Sequence, residues 1–185
     1  MATVGAFFGI AVLVVVLFVV LNYNGLVGLR NHISEAWSNV DTELKRRYEL
    51  IPNLVATVKG YAQHEQELFE RVTQLRNRCV ANQGTIGAQA ADEMLLVNEL
   101  QQLLGVVEDY PTLKADQHYL DLQQQLVHTE DRIQAARRFF NGNVRDYRNK
   151  CQQFPSLIIA RLFGFQPESY FQVKPAVQEV PDLSF

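Results

Sequence analysis

The side chains best suited to nucleophilic, acid–base or metal chemistry in this 185-residue chain are four histidines and two cysteines. His32, His64, His118 and His128 are scattered along it, and none stands four residues from another. No glutamate precedes a histidine by three residues either. The two-histidine zinc helix and the bundle di-iron arrangement are therefore absent. Asp116, His118 and Asp121 bring oxygen and nitrogen onto neighbouring faces of a helix start. Acids at such a place ordinarily serve the positive end of the helix dipole, and that is the reading adopted. There is no C-x-x-C pair, no G-x-S-x-G elbow and no glycine-rich phosphate loop. Cys79 and Cys151 both fall on apolar stripes, which marks them as small buried hydrophobes rather than nucleophiles. The expectation is a protein without catalytic residues, cofactor, metal or small-molecule substrate.

The distribution of charge carries more information. The chain has 17 basic and 20 acidic residues and a net charge of −3, which gives no footprint for nucleic acid. None of those charges precedes Arg30, and from Ala2 to Leu21 only Thr3, Gly5 and Gly9 interrupt the large apolar side chains and alanines. A run of about 20 apolar residues is the length a helix needs to cross hydrocarbon. A cleaved signal peptide would have a basic start, a shorter core and a small-residue cleavage site. Leu21-Asn22-Tyr23-Asn24 offers no such site, so the segment reads as a retained anchor, with the bilayer as partner of residues 2–22. Tyr23 falls at the expected headgroup level. Gly5 and Gly9 form a weak G-x-x-x-G signal for a second copy. Arg30 and Lys45-Arg46-Arg47 follow the span, and the positive-inside rule then puts the C-terminal part in the cytoplasm.

Beyond the anchor, apolar residues recur every three or four positions, the signature of helices that bury one face. Ile33, Trp37, Val40, Leu44, Tyr48 and Ile51 form one stripe, continued by Leu54, Val58, Tyr61, Leu68, Val72, Leu75 and Cys79. Pro52 lacks an N–H and implies a kink near Glu49–Ile51 or a new helix. Asn82 to Gly87 reads as a loop. A third helix is expected from Ala88 to Asp109, with Met94, Val97, Leu100, Leu103, Leu104 and Val107 inward. A fourth is expected from Lys114 to Gln153, with Tyr119, Leu122, Leu126, Thr129, Ile133, Ala136, Phe140, Val144, Tyr147 and Cys151 inward. The fold class is all-α: an N-terminal transmembrane helix followed by an elongated antiparallel three- to four-helix bundle. The divisions are an anchor over 1–22, a helical bundle over 23–153, and an apolar capping helix with an extended tail over 154–185.

Two features leave alternatives open. Leu157 to Phe165 is dense in apolar residues and too short to span, so it either caps the bundle or lies on a membrane or partner. Glu65 occupies an inward position of its stripe, where a carboxylate needs a cation. Lys45-Arg46-Arg47 or Arg137-Arg138 would supply it across helices; the other reading of Glu65 is a polar partner-binding position, and Arg46-Arg47 reads equally as a solvated face.

From Tyr23 to Glu65 the residues form a nearly continuous signature. It comprises Tyr23-Asn24-Gly25-Leu26-Val27-Gly28-Leu29-Arg30-Asn31, Glu35-Ala36-Trp37-Ser38, Leu44-Lys45-Arg46-Arg47, Leu50-Ile51-Pro52-Asn53-Leu54-Val55, Thr57-Val58-Lys59-Gly60-Tyr61-Ala62 and His64-Glu65. Phe154-Pro155 and Phe163-Gly164-Phe165 extend it. The chain strongly resembles the LemA family of bacterial membrane proteins. The resemblance implies a short membrane helix carrying an α-helical bundle, no enzymatic activity, and links to the cell envelope. One branch of that family is needed to form magnetosome membranes. Ala56 departs from the glutamate that relatives often carry after Leu-Val, and Asn77-Arg78-Cys79 departs from an alanine-rich stretch.

The expected function is a membrane-anchored scaffold or interaction protein of the bacterial inner membrane. Its partners would be unidentified envelope proteins or further copies of itself. Asn31, Trp37, Arg46, Arg47, Asn53, Lys59, Glu65, Phe163, Gly164 and Phe165 are the expected interaction residues. The alternative is membrane remodelling through oligomers and an apolar C-terminal helix.

Overall fold

A computed structural model describes residues 2–172, apart from the side chains of Ala2, Val4 and Ala6. The tail expected to be extended is non-helical from Phe165 to Gln172, and its remainder lies outside the described residues. Among the described residues six helices follow one another: α1 Ala2–Lys59, α2 Gln66–Ala81, α3 Ile86–Val107, α4 Pro111–Lys114, α5 Gln117–Gln152 and α6 Ser156–Leu162. No strand occurs among the described residues. They divide into two compact units, one formed by Met1–Thr42 with Gln134–Tyr170, the other by Glu43–Ile133 with the chain from Phe171.

The first unit holds the apolar span. Phe7, Phe8, Ile10 and the Val/Leu run to Leu21 are exposed except for half-buried Val19, and α1 is the one described helix long and apolar enough to cross a membrane. Burial begins at Leu26 and continues through Ile33, Ala36 and Val40. Against these residues the C-terminal half of α5 buries Phe140, Val144, Tyr147 and Cys151. Trp37 is half-buried, its ring edge-on to Phe140 with centroids 5.4 Å apart. Each large apolar side chain removed from water here contributes about 1.5–3 kcal/mol.

In the second unit α1 buries Leu44, Ile51, Leu54 and Val58, and α2 contributes Leu68, Phe69, Val72 and Cys79. Leu96, Leu100, Leu103 and Val107 of α3, with Tyr119, Leu122, Leu126 and Ile133 of α5, complete that core. The stripe expected for α5 is buried throughout except at Ala136, which is half-buried. On α3 the buried face is rotated from the expected one: Met94, Val97 and Leu104 are half-buried, while Ala90, Glu93 and Leu96 lie inside. Asp116 makes α5 start at Gln117 rather than Lys114, because its Oδ1 accepts the Tyr119 backbone N–H at 2.9 Å.

Pro52 neither ends α1 nor starts another helix. The chain turns only at Gly60–Glu65, where the N–H groups of Tyr61 and Ala62 both return to the Val58 carbonyl. A proline inside a helix leaves the carbonyl four residues earlier without its donor. That carbonyl belongs to Tyr48, and the Nε–H of Arg76 on α2 donates to it at 3.1 Å. A tertiary hydrogen bond from a guanidinium thus replaces the intrahelical one.

In a double-mutant cycle Arg76→Met destabilises the wild-type background more than it destabilises Pro52→Ala, where an N–H returns to Tyr48. The expected coupling is about 1–2 kcal/mol, measured by urea unfolding. Additive effects would show that Arg76 does not support the helix at Pro52.

Candidate functional site

Helix α1 buries a charge in the second unit. Counting inward positions as Val40, Leu44, Arg47, Ile51, Leu54 and Val58 gives alternating steps of four and three, and Arg47 occupies one of them with only 1% of its surface exposed. An unpaired buried guanidinium would be very costly, so it must be neutralised where it stands. Its Nη2 pairs with Glu93 of α3 and its Nη1 with Glu130 of α5, the latter at 2.6 Å. Glu93 is itself buried and accepts a second hydrogen bond from the Tyr48 hydroxyl. Gln89 completes the cluster, its Nε2 donating to Glu93 Oε1 at 2.7 Å and to the Tyr48 oxygen at 3.0 Å. Among the described residues only the Nε of Arg47 is a buried side-chain polar atom without a partner.

Burial works against the charged guanidinium, but Glu130 and then Glu93 outweigh it and raise the Arg47 pKa. Burial first, and the Glu93 carboxylate second, raise the Tyr48 phenol as well. The same two causes push the Cys79 thiol up to about 12. Both cysteines are reduced and buried. The cluster is thus a charge-compensated clasp tying α1, α3 and α5 together. Both carboxylate oxygens of Glu93 are engaged, Oε1 by Tyr48 and Gln89 and Oε2 by Arg47.

Around it the α3 start is fixed by polar residues. Thr85 Oγ1 accepts the Ala88 N–H, while buried Asp92 accepts from Asn82 at 2.7 Å and pairs with Arg78 at 2.6 Å. On the surface Glu43 bridges Arg46 at 3.0 Å and Arg132 at 3.4 Å. An open groove of about 600 Å³ beside them is lined by Arg46, His128, Arg132, Asp121 and two glutamines. No group of three or more histidines, cysteines or carboxylates able to hold a metal occurs among the described residues.

In the first unit a second constellation is aromatic. Helix α6 ends in a glycine-dependent cap: Gly164 has φ +72°, the Phe165 N–H returns to the Ala160 carbonyl at 2.9 Å, and the Gly164 N–H returns to Arg161. That turn brings both Phe163 and Phe165 edge-on to Tyr23, with ring centroids 4.9 and 5.5 Å away. At the other end of α6 the Ser156 hydroxyl lies 2.6 Å from the Lys150 carbonyl oxygen and 2.9 Å from that of Gln153, its single proton shared between them. Further along, Arg148 donates to the Glu168 carbonyl and lies 5.2 Å from the Tyr170 ring centroid.

Several expected interaction residues change character. Arg47 is core rather than surface, so its charge belongs to the fold. Glu65 is half-buried at the N-cap of α2 and makes no side-chain cap, and the buried carboxylate sought there is Glu93. The reason is the turn after Lys59, which ends the stripe before Glu65 can enter the core. Trp37 packs on Phe140. Asn31, Arg46, Asn53 and Lys59 are exposed, as are Phe163 and Gly164, and Phe165 is half-buried. Gln89, Glu93 and Glu130 were not anticipated. Glu93 had a signal, because 89, 93, 96, 100, 103 and 107 repeat the same four–three steps.

Arg47→Ala costs about 3–5 kcal/mol in urea unfolding because it strands Glu93, whereas Arg46→Ala stays within about 0.5 kcal/mol. Equal effects would contradict the placement of Arg47. In alkali the folded chain retains the Cys79 proton that the unfolded chain releases from a thiol of ordinary pKa 9.0. Stability therefore falls as pH rises from about 9 towards 12, and Cys79→Ala shallows that fall in pH-dependent melting.

The LemA family model matches residues 36–185. The magnetosome protein MamQ 2 of Paramagnetospirillum magneticum is 30% identical, over 90% of this chain and 72% of its own length. The magnetosome protein MamQ of Magnetospirillum gryphiswaldense is 29% identical over the same shares. Protein LemA of Metamycoplasma hominis is 25% identical, over 80% of this chain and 68% of its own length.

Proposed function

The chain belongs to the LemA family, and from that premise we propose that it is a membrane-anchored helical scaffold of the bacterial cell envelope, without catalytic activity of its own. The observation that carries this reading is the continuity of α1. The helix that bears the apolar span also supplies the buried faces from Leu26 to Val58. A single element thus serves as bilayer anchor and as the first helix of the packed protein. The relatives named for the magnetosome support a role in a membrane-bounded assembly. In this reading residues 2–22 sit in the inner membrane, with Arg30 and the bundle on the cytoplasmic side. The surface offered to envelope partners or further copies includes Asn31, Arg46, Asn53 and Lys59, all exposed.

A second reading is favoured by the exposed apolar residues of α6: oligomers of the protein would bend the bilayer. The two differ in what dense reconstitution does to vesicles, which stay spherical for a scaffold and tubulate for a remodelling protein.

Photo-cross-linking residues installed at positions 46, 53 and 59 in cells test the scaffold directly. Discrete cross-linked species of reproducible mass are expected from at least one position. No species above background at any of the three would contradict the reading.

A further inference from the structure

We propose that the outer side of α6, together with Phe154 and Phe163, is a second membrane-contact surface, seated at the headgroup–acyl boundary beside the anchor. The proposal rests on the reading of α1 as a transmembrane helix, which fixes the depth of everything attached to it.

The first observation is that α6 is apolar on both sides. Ser156, Ile159 and Ala160 face the protein and are buried. Ile158 and Leu162, one turn apart on another side, are 55% and 71% exposed. Phe154, in the turn that precedes α6, is 81% exposed, and Phe163, just after its last residue, is also exposed. A helix apolar all round normally meets protein on every side or lies in lipid. Between Phe154 and Phe165 the sole charge is Arg161, which is exposed and long enough to carry its guanidinium to a phosphate while its stem lies along apolar surface. Contiguous exposed aromatic and aliphatic side chains of this kind mark an interaction surface rather than ordinary solvent contact.

The second observation says what that surface meets. Tyr23 comes two residues after Leu21, where the apolar span ends, a displacement of about 3 Å along the helix axis. Phe163 and Phe165 clasp Tyr23 with centroids 4.9 and 5.5 Å away. One turn deeper, on the same face as Tyr23, Val19 is half-buried although its neighbours in the span are exposed. Cover from the protein therefore reaches the last turn of the apolar span itself. A patch attached by the Phe163-Gly164-Phe165 clasp shares the depth of Tyr23, where the aqueous phase gives way to acyl chains. Aromatic rings with aliphatic neighbours and one flanking arginine suit that boundary. The occupant is thus the phospholipid bilayer that already holds α1.

The test uses the full-length chain in phospholipid vesicles. Trp37 is the sole tryptophan, so a Trp37→Phe background accepts a single reporter at a chosen site. Ile158→Trp reports on the patch, Leu13→Trp on the span, and Val127→Trp on exposed α5 surface. Leu162→Trp repeats the patch measurement should Ile158→Trp disturb folding. The vesicles contain lipids brominated either near the headgroup or near the chain end. Expected are deep quenching of the Leu13 reporter, shallow quenching of the Ile158 reporter by roughly twofold, and none of the Val127 reporter. An Ile158 reporter as unquenched as Val127, with Leu13 quenched, overturns the proposal and leaves the anchor standing. A blue-shifted but unquenched Ile158 reporter overturns it too, because protein, such as a second copy, then covers the patch. Loss of quenching at Leu13 removes the anchor reading and this proposal with it.

Discussion

A chain entering hydrocarbon must satisfy its backbone hydrogen bonds within itself, and for a single segment only a helix does so. Helix α1 meets that requirement and then continues into the packed protein without a break, from Ala2 to Lys59. One element is therefore suited to two solvents. From Phe7 to Leu21 its side chains are apolar and, Val19 apart, exposed, and from Leu26 onward a single face is buried while the rest is wet. Such continuity has consequences further along. The helix cannot stop at Pro52 without shortening the face that α2, α3 and α5 pack against, so the carbonyl freed by the proline must find a donor elsewhere. Arg76 is that donor.

The polar residues of the core follow the same logic of mutual obligation. Arg47 sits where an aliphatic residue would be simpler, and its burial is tolerable only because Glu93 and Glu130 meet it. Glu93 in turn is satisfied by Tyr48 and Gln89. Such a cluster adds little net stability relative to a hydrophobic replacement, but breaking one member strands the others. Its effect is to admit only the register of α1, α3 and α5 in which all partners meet. Binding and catalysis are not needed to explain why these charges lie inside.

The helical class, the apolar span and the buried stripe of α5 were all legible in the sequence, because periodicity over long segments reports directly on burial. Of the two readings of Pro52, the new helix is the one excluded, and the sequence could not decide because the donor that rescues Tyr48 lies on α2, remote in sequence. Glu65 and Glu93 show the limit of the method more sharply. A strict four–three count places both Arg47 and Glu93 inside, yet charge alone argues for solvent, and only the pairing across helices resolves the conflict. On α3 the abundance of apolar residues, with Met94, Leu95, Val97 and Leu104 all available, leaves the phase ambiguous. The clasp around Tyr23 was invisible because nothing local ties residues 163–165 to residue 23, although the φ of +72° at Gly164 accounts for a glycine between two phenylalanines.

Membership of the LemA family, one helix able to span a bilayer and a bundle held by compensated charges describe a protein organised around its anchor. The scaffold reading proposed above depends on the anchor being continuous with the first bundle helix, rather than a tether joined to it by a hinge. Hydrogen exchange on the full-length chain in lipid nanodiscs tests that point at the junction. The amides from Leu21 to Gly28 should exchange as slowly as those of the buried segment that follows. Rapid exchange confined to Asn22–Gly25 would mean a hinge there and contradict the continuous helix.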